Sequence, residues 1–443
     1  MADEWRETTI GALCDDGVAE LQTGPFGSQL HAREYVDSGV PVVPTAAIRR
    51  RRIDHDLLPR ISPSKADQLS RHRLRCGDIL FARRGAQATG QVAIVRAAEE
   101  GFISGTGVIR LRVRPGSTIV DADFLSHVLS DPTSVEWFKF HAIGATMPNL
   151  NEGIIRSFPL LLPPLQEQRA IAHMLGTLDD KIELNRRMSE TLEAMVRALF
   201  ESWFVRFDPV RAKMEGRDPG LPSDLAAPFP DRLVDSELGE IPEGWELGTL
   251  ADVADLNPEV WTKDARPPTI RYVELSGTKW GRIDEIKEYS AFEAPSRAQR
   301  VLRPGDTIVG TVRPGNGSFA LISQEGLTGS TGFAVLRPRA AEFTEFIYLA
   351  VTARDNIEWL AHVADGAAYP AVRPEVVAAT PVALPPIGIL QRFSSLARVL
   401  FARSAAAIAE SRTLAALRDT LLPKLISGEL RVQDAERLVA AAT

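Results

Sequence analysis

The sequence predicts an α+β protein in which two related mixed α/β domains are separated by two long antiparallel coiled-coil helices, in a pseudo-twofold internal repeat. Three observations carry that expectation. Apolar residues within 163–207 recur in alternating steps of four and three, a second such stretch occupies 385–425, and the segments preceding the two stretches match each other in order. The expected boundaries are a first domain at 1–162, a first helix at 163–207, an extended linker at 208–244, a second domain at 245–384, a second helix at 385–425 and a tail at 426–443.

The first domain and the second share their punctuation. Trp5 matches Trp245, Arg73–Leu80 matches Val301–Ile308 so that Gly77 falls on Gly305, and Gly105–Arg112 matches Ser330–Arg337. Glu136–Trp137 matches Glu358–Trp359, and Gly144–Pro148 matches Gly366–Pro370. The order is kept while the spacing shortens, so the second copy has lost loop residues. Short β-branched runs at Val40–Val43, Ile79–Phe81, Val92–Val95, Val108–Val113, Ile270–Val273, Thr307–Val312 and Phe333–Leu336 alternate with Gly and Pro, which predicts a twisted mixed sheet in each domain. One helical stretch, Asp123–His141 or Glu345–Ala364, packs on each.

The first long helix follows the stop at Pro163–Pro164. Ile171, Leu175, Leu178, Ile182, Leu192, Val196, Leu199 and Trp203 form its seam, and Gly176 is the one helix-weakening residue between Gln166 and Phe204. A helix of about 39 residues, roughly 58 Å at about 1.5 Å per residue, is allowed. Asn185 and Ser189 are polar seam positions that suit a register pin or a solvated kink, and the adjacent Asp179 and Asp180 suit a solvated face. Residues 208–244, dense in Pro, Asp and Gly, read as an extended strap without regular structure. Phe393, Leu396, Leu400, Ala407, Leu414, Leu417 and Leu421 make the second seam, which Pro423 ends, and residues 426–443 read as a short terminal helix. Burying the two seams against each other calls for an antiparallel pair.

Composition narrows the function. An apolar share of 44% and a charged share of 25% suit a globular chain, and there is neither a leader-like start nor a membrane-length apolar run, so a cytoplasmic location is expected. Cys14 and Cys76, the two cysteines, fit a reducing compartment. No phosphate-binding Gly-x-x-x-x-Gly-Lys loop, dinucleotide fingerprint, amino-methyltransferase Asn-Pro-Pro-aromatic tetrapeptide or metal-ligating cluster occurs, and the seven histidines are scattered. The net charge of −7 argues against indiscriminate coating of nucleic acid, yet residues 45–114 are locally basic, with Arg49–Arg52 at their centre.

Polar, glycine-rich turns recur in both copies, at Thr23–Leu30, Arg83–Gln91 and Met147–Asn151 and again at Thr311–Ser318 and Tyr369–Val372. Taken singly such turns need be no more than hairpin geometry. Together with the basic run they nominate Thr23, Phe26, Ser28, Gln29, Thr45, Arg49, Arg50, Arg83, Arg84, Gln87, Thr89, Thr146, Asn149 and Asn151 in the first domain for DNA contact. In the second they nominate Lys279, Thr311, Arg313, Asn316, Ser318, Tyr369 and Arg373.

Leu162–Ile171, Leu178–Arg186, Phe200–Pro209 and the closing Leu421–Leu430 resemble the specificity subunit of type I restriction–modification enzymes, and the resemblance spans essentially the whole chain. It implies two target recognition domains, each binding one half of a bipartite site in double-stranded DNA, on helices that set the gap and hold two methyltransferase subunits. It further implies a non-catalytic chain of a bacterial or archaeal cytoplasm, with no metal, cofactor or membrane of its own. S-adenosylmethionine would belong to the methyltransferase subunit, and ATP with Mg²⁺ to a separate restriction motor subunit. The second copy departs from the pattern, since Pro385–Phe393 has an extra residue and lacks the Glu of the first copy's Glu-Gln pair. The competing expectation is a coiled-coil scaffold whose two domains bind protein without reading DNA.

Overall fold

The protein is described by a computed structural model covering residues 5–49, 51–85, 88–144, 148–237, 239–262, 265–366 and 369–442. It divides into two compact units, one of residues 1–184 with 410–443 and one of residues 185–409. Each unit holds two four-stranded sheets, beside two-stranded ribbons, rather than the single mixed sheet expected of each domain.

In the first unit an antiparallel sheet runs in the order Ala19–Thr23, Val108–Val113, Ile79–Ala82, Val92–Ile94. A second sheet runs Ile103–Ser104, Val40–Val43, Arg60–Ile61, Tyr35–Val36, and its first pair is parallel. The second unit repeats this plan. Its antiparallel sheet is Ala254–Leu256, Phe333–Pro338, Thr307–Gly310, Phe319–Leu321. Its other sheet is Lys287–Ser290, Thr269–Val273, Leu327–Ser330, Ala298–Leu302, with the central pair parallel.

The shared plan has a shared polar anchor. Asp78 and Asp306, each only 1% exposed, sit in the turn before the matching strands. Asp78 takes Arg112 Nε at 2.6 Å and the Arg75 backbone N–H at 2.8 Å. Asp306 takes Arg337 Nε at 2.8 Å and the Arg303 backbone N–H at 2.9 Å. A carboxylate this deep must be fully paired, and both copies pair it identically.

The helical stretch expected on each sheet is in both cases two helices. Asp131 with Pro132 splits the first into Ala122–Ser130 and Pro132–His141, because proline clashes with the helical conformation of the residue before it. The second splits into Thr344–Val351 and Arg354–Val363. In each unit an edge strand, Arg6–Thr9 or Glu246–Thr249, pairs antiparallel with the strand that feeds the long helix, Pro159–Leu162 or Pro381–Leu384.

The long helices are Leu165–Phe200, of 36 residues, and Ile387–Ile426, of 40. Within the first unit the early turns of one meet the late turns of the other, with Ile171, Met174 and Leu175 in one core with Leu421, Leu422 and Leu425. Within the second unit the ends are exchanged, and Val196 and Phe200 pack with Phe393 and Ala397. Each unit therefore contains an antiparallel helix pair. Ser189 is buried there and donates to the Ser404 carbonyl at 3.3 Å, so this seam position is a register contact rather than a solvated kink.

Several expectations give way to local detail. The first helix does not stay α-helical to Phe204; a π-helical turn at Glu201–Val205 ends it and turns Trp203 and Phe204 into an aromatic core with Phe229, Trp245, Phe346 and Phe393. The 208–244 segment is not featureless: it carries helices Asp208–Met214 and Ser223–Ala226 and the hairpin Leu233–Ser236 with Gly239–Pro242. Proline at the second position of the first of these helices needs no hydrogen bond, which is why the composition misled. Pro423 does not stop the second long helix, which reaches Ile426 and forgoes only the bond proline cannot donate. The tail helix Val432–Ala442 lays Ala435 into the first unit's core, with Val432 and Val439 against it.

Asp179 overturns the expectation of a solvated Asp-Asp face. It is 5% exposed, receiving Arg51 Nε at 3.1 Å on one oxygen and Arg418 Nη1 at 2.7 Å on the other. Arg51 also donates to Ser126 Oγ at 2.7 Å, and Arg52 donates to the Asp179 carbonyl at 2.6 Å. Burial pushes the Arg51 guanidinium down to about 10, with Asp179 as the opposing influence. Breaking a buried pair strands the remaining charges, so Asp179→Ala should destabilise the chain by about 3 kcal/mol. Asp180, its exposed neighbour, is the control, and Asp180→Ala should stay within about 0.5 kcal/mol in the same urea titration.

Candidate nucleic-acid interface

In the first unit the nominated turns converge because the backbone ties them together. Arg83 donates its N–H to the Gly107 carbonyl at 2.9 Å and accepts at its own carbonyl from Leu150 N at 2.9 Å. Residues 84 and 149 form a bridge, as do 143 and 149. The Arg83 side chain adds Nε bonds to Asn149 Oδ1 at 2.8 Å and the Leu150 carbonyl at 2.9 Å, which holds its outer nitrogens away from these partners. Arg84 is exposed, and it shares the surroundings of Gly107 with Thr45.

The turn after Thr23 joins the same ledge. Gly24 donates to the Val108 carbonyl at 2.7 Å, and a side chain there would strike the Gly105 carbonyl, its Cβ lying at 2.2 Å. Thr23 Oγ1 donates to Glu152 at 2.8 Å. Beyond it Phe26, Ser28 and Gln29 are exposed, with Gln29 Oε1 accepting from the Phe26 N–H at 3.0 Å. Arg49 is exposed on the ribbon Ile48–Arg49 with Arg52–Ile53, and its Nε donates to the Ala46 carbonyl.

The second unit reproduces the ties with different side chains. Thr311 N–H donates to the Gly332 carbonyl at 2.8 Å, and Val372 N–H donates to the Thr311 carbonyl at 2.9 Å. The bridges 312 with 371 and 365 with 371 match those of the first unit. Arg313, at φ 49°, lies over the exposed Tyr369 ring with its guanidinium carbon 5.1 Å from the centroid. Asn316 and Lys279 are exposed, and Arg373 is exposed at the N-cap of Pro374–Ala378.

Some nominated residues shape the loops instead of projecting from them. Thr89, Thr311 and Ser318 are buried, and their hydroxyls donate to the carbonyls of Gly85 and Pro148, of Gly332, and of Leu275. Asn151 caps the helix Glu152–Arg156 by accepting from Ile154 N–H at 2.8 Å. Arg50, Gln87 and Thr146 lie outside the described residues.

The sequence reading missed Trp280. It sits at φ 48° in the turn between Thr278–Lys279 and Arg282–Ile283, more than half exposed, with its ring against Gly317. A Cβ on Gly317 would lie 2.6 Å from that ring, so only glycine fits under it. The signal available was a Trp-Gly pair directly after Lys279. Among the described residues no group of His, Cys, Asp or Glu could hold a metal ion, and no helix is long and apolar enough to cross a membrane.

Residues 17–194 match the type I restriction modification DNA specificity domain. The chain is 24% identical over 410 residues to the HindI type I restriction enzyme specificity subunit of Haemophilus influenzae, covering 81% of this chain and 87% of that one. It is 25% identical over 329 residues to the MjaIX specificity subunit of Methanocaldococcus jannaschii, covering 71% and 70%. In fold it is similar to the crystal structure of a type I restriction–modification S subunit from M. genitalium, with a TM-score of 0.56 at 16% identity over 95% of this chain and 96% of that one. With two sheet-bearing units and two long helices, the chain is similar in sequence and in fold to the specificity subunits of type I restriction enzymes.

Proposed function

We propose that the chain recognises a bipartite site in double-stranded DNA, one half-site per unit, and lends that specificity to partner subunits that carry the chemistry. The observation that supports this reading is the duplicated loop ledge, tied by the Arg83–Gly107 and Leu150–Arg83 backbone bonds in one unit and by Thr311–Gly332 and Val372–Thr311 in the other. Two ledges of the same backbone but different side chains suit two readers of different sequence. Arginine beside Asn149 offers donors to base edges and phosphates in the first, and Lys279, Arg313, Asn316 and Tyr369 offer charge, amide and a stacking face in the second.

In this reading the paired helices act as the spacer and dock two methyltransferase subunits, with S-adenosylmethionine bound there. ATP and Mg²⁺ serve a restriction motor subunit, and the chain works without catalysis of its own in the cytoplasm. Each ledge enters the major groove while neighbouring basic residues meet phosphates, and the half-sites lie about one helical turn apart.

The assignment is tested with the assembled methyltransferase complex. Arg83→Ala should weaken binding by about 1–3 kcal/mol and relax one half-site only, read by competition among duplexes altered in one half at a time. Equal relaxation of both halves would refute a division of labour. A heptad inserted between Leu178 and Leu192, matched by one between Ala407 and Leu414, lengthens the pair by about 10 Å, or about three base pairs. Methylation mapping should then report a gap longer by that amount; an unchanged gap removes the spacer role.

A further inference from the structure

A cleft of about 490 Å³ opens in the first unit along the strands Ala19–Thr23 and Val108–Val113. Five arginines line it, Arg71, Arg73, Arg75, Arg110 and Arg112, against the carboxylates of Glu20 and Glu100. Their commitments differ. Arg112 is held by Asp78, and Arg73 by Asp67 at 2.8 Å and the Gly101 carbonyl at 3.2 Å. Arg110 is buried, with one carboxylate partner, the half-exposed Glu20 at 2.6 Å, and its Nε has no hydrogen-bond partner. Burial, followed by the neighbouring Arg112, pushes its guanidinium below the ordinary value. Arg71 and Arg75 are exposed, and their side chains make no hydrogen bond or ion pair among the described residues.

A buried cation with one carboxylate partner, the Arg71 carbonyl at 3.5 Å and an unpaired Nε, flanked by two uncommitted guanidinium groups, is an unfavourable arrangement that an anion would relieve. Guanidinium forks match phosphate oxygens better than other side chains do. The second unit shows the same strands without this feature. Val335 occupies the position of Arg110, buried in an apolar cluster, and Gln299 and Val301 stand where Arg71 and Arg73 are. Arg303, the counterpart of Arg75, is neutralised by both oxygens of Glu259 at 3.0 and 2.8 Å. The fold therefore does not require arginine at positions 71, 73 and 110.

We propose that this cleft binds a phosphate group, with Arg110 as the fixed buried charge and Arg71 and Arg75 as donors that close on it. The phosphate comes either from a DNA backbone or from a free polyphosphate, and the chemistry of capture is the same. Calorimetric titration of the full chain with sodium tripolyphosphate should show binding that weakens at least tenfold in Arg71→Ala/Arg75→Ala and in Arg110→Val, with Arg303→Ala unchanged. In parallel, affinity for a non-specific duplex is followed against salt concentration. A slope reduced by about two in the Arg71/Arg75 double variant identifies backbone phosphate, and an unchanged slope with lost tripolyphosphate binding identifies the free ion. Surface arginines are replaced in the double variant, so it folds even where Arg110→Val does not. The proposal is overturned if the double variant matches the intact chain in both titrations, or if Arg303→Ala loses as much tripolyphosphate binding. Half-site recognition is read separately through Arg83, so either assignment can fail while the other stands.

Discussion

The buried carboxylate of Asp179 constrains the first unit more than any other single group. Its two oxygens take an arginine from the basic ribbon and an arginine from the second long helix, while its own carbonyl takes a third. Two segments distant in the chain, the ribbon and the second long helix, are thereby referred to one point on the first helix. Such a contact is costly to desolvate and adds little net stability against an apolar alternative, but it tolerates far less sliding than a leucine seam does. Arg51 reaches it from a left-handed backbone conformation at φ 68°, which directs it inward while Arg49 and Arg52 remain at the surface or near it.

That geometry also explains what sequence reasoning could reach. Seams, sheet runs and the order of the two copies were readable because each depends on local periodicity: Val40–Val43 and Val108–Val113 are strands with the expected ends. Asp179 looked solvated because its partners lie 128 and 239 residues away. The turn residues were nominated by composition alone, which does not separate an exposed Arg84 from a Thr89 whose hydroxyl is spent on two carbonyls. Trp280 was passed over since exposure of a large aromatic ring in a tight turn depends on a glycine nearly forty positions later.

Asp78 and Asp306 show the repeat at its most literal. Each closes the turn before the strand that leads to a loop ledge, and each holds the arginine of the neighbouring strand. The polar scaffold is thus duplicated while the surface is not. Where the first unit lines a cleft with arginines, the second puts Val335 into its apolar core and pairs Arg303 with Glu259.

The ledges themselves are fastened by main-chain groups, which every amino acid except proline can supply in full. Side chains at positions 84, 312, 313 and 371 can therefore be exchanged with these main-chain ties still in place. A protein built this way can change what its two ledges present by drift in a handful of codons while its main-chain foundations stay in place.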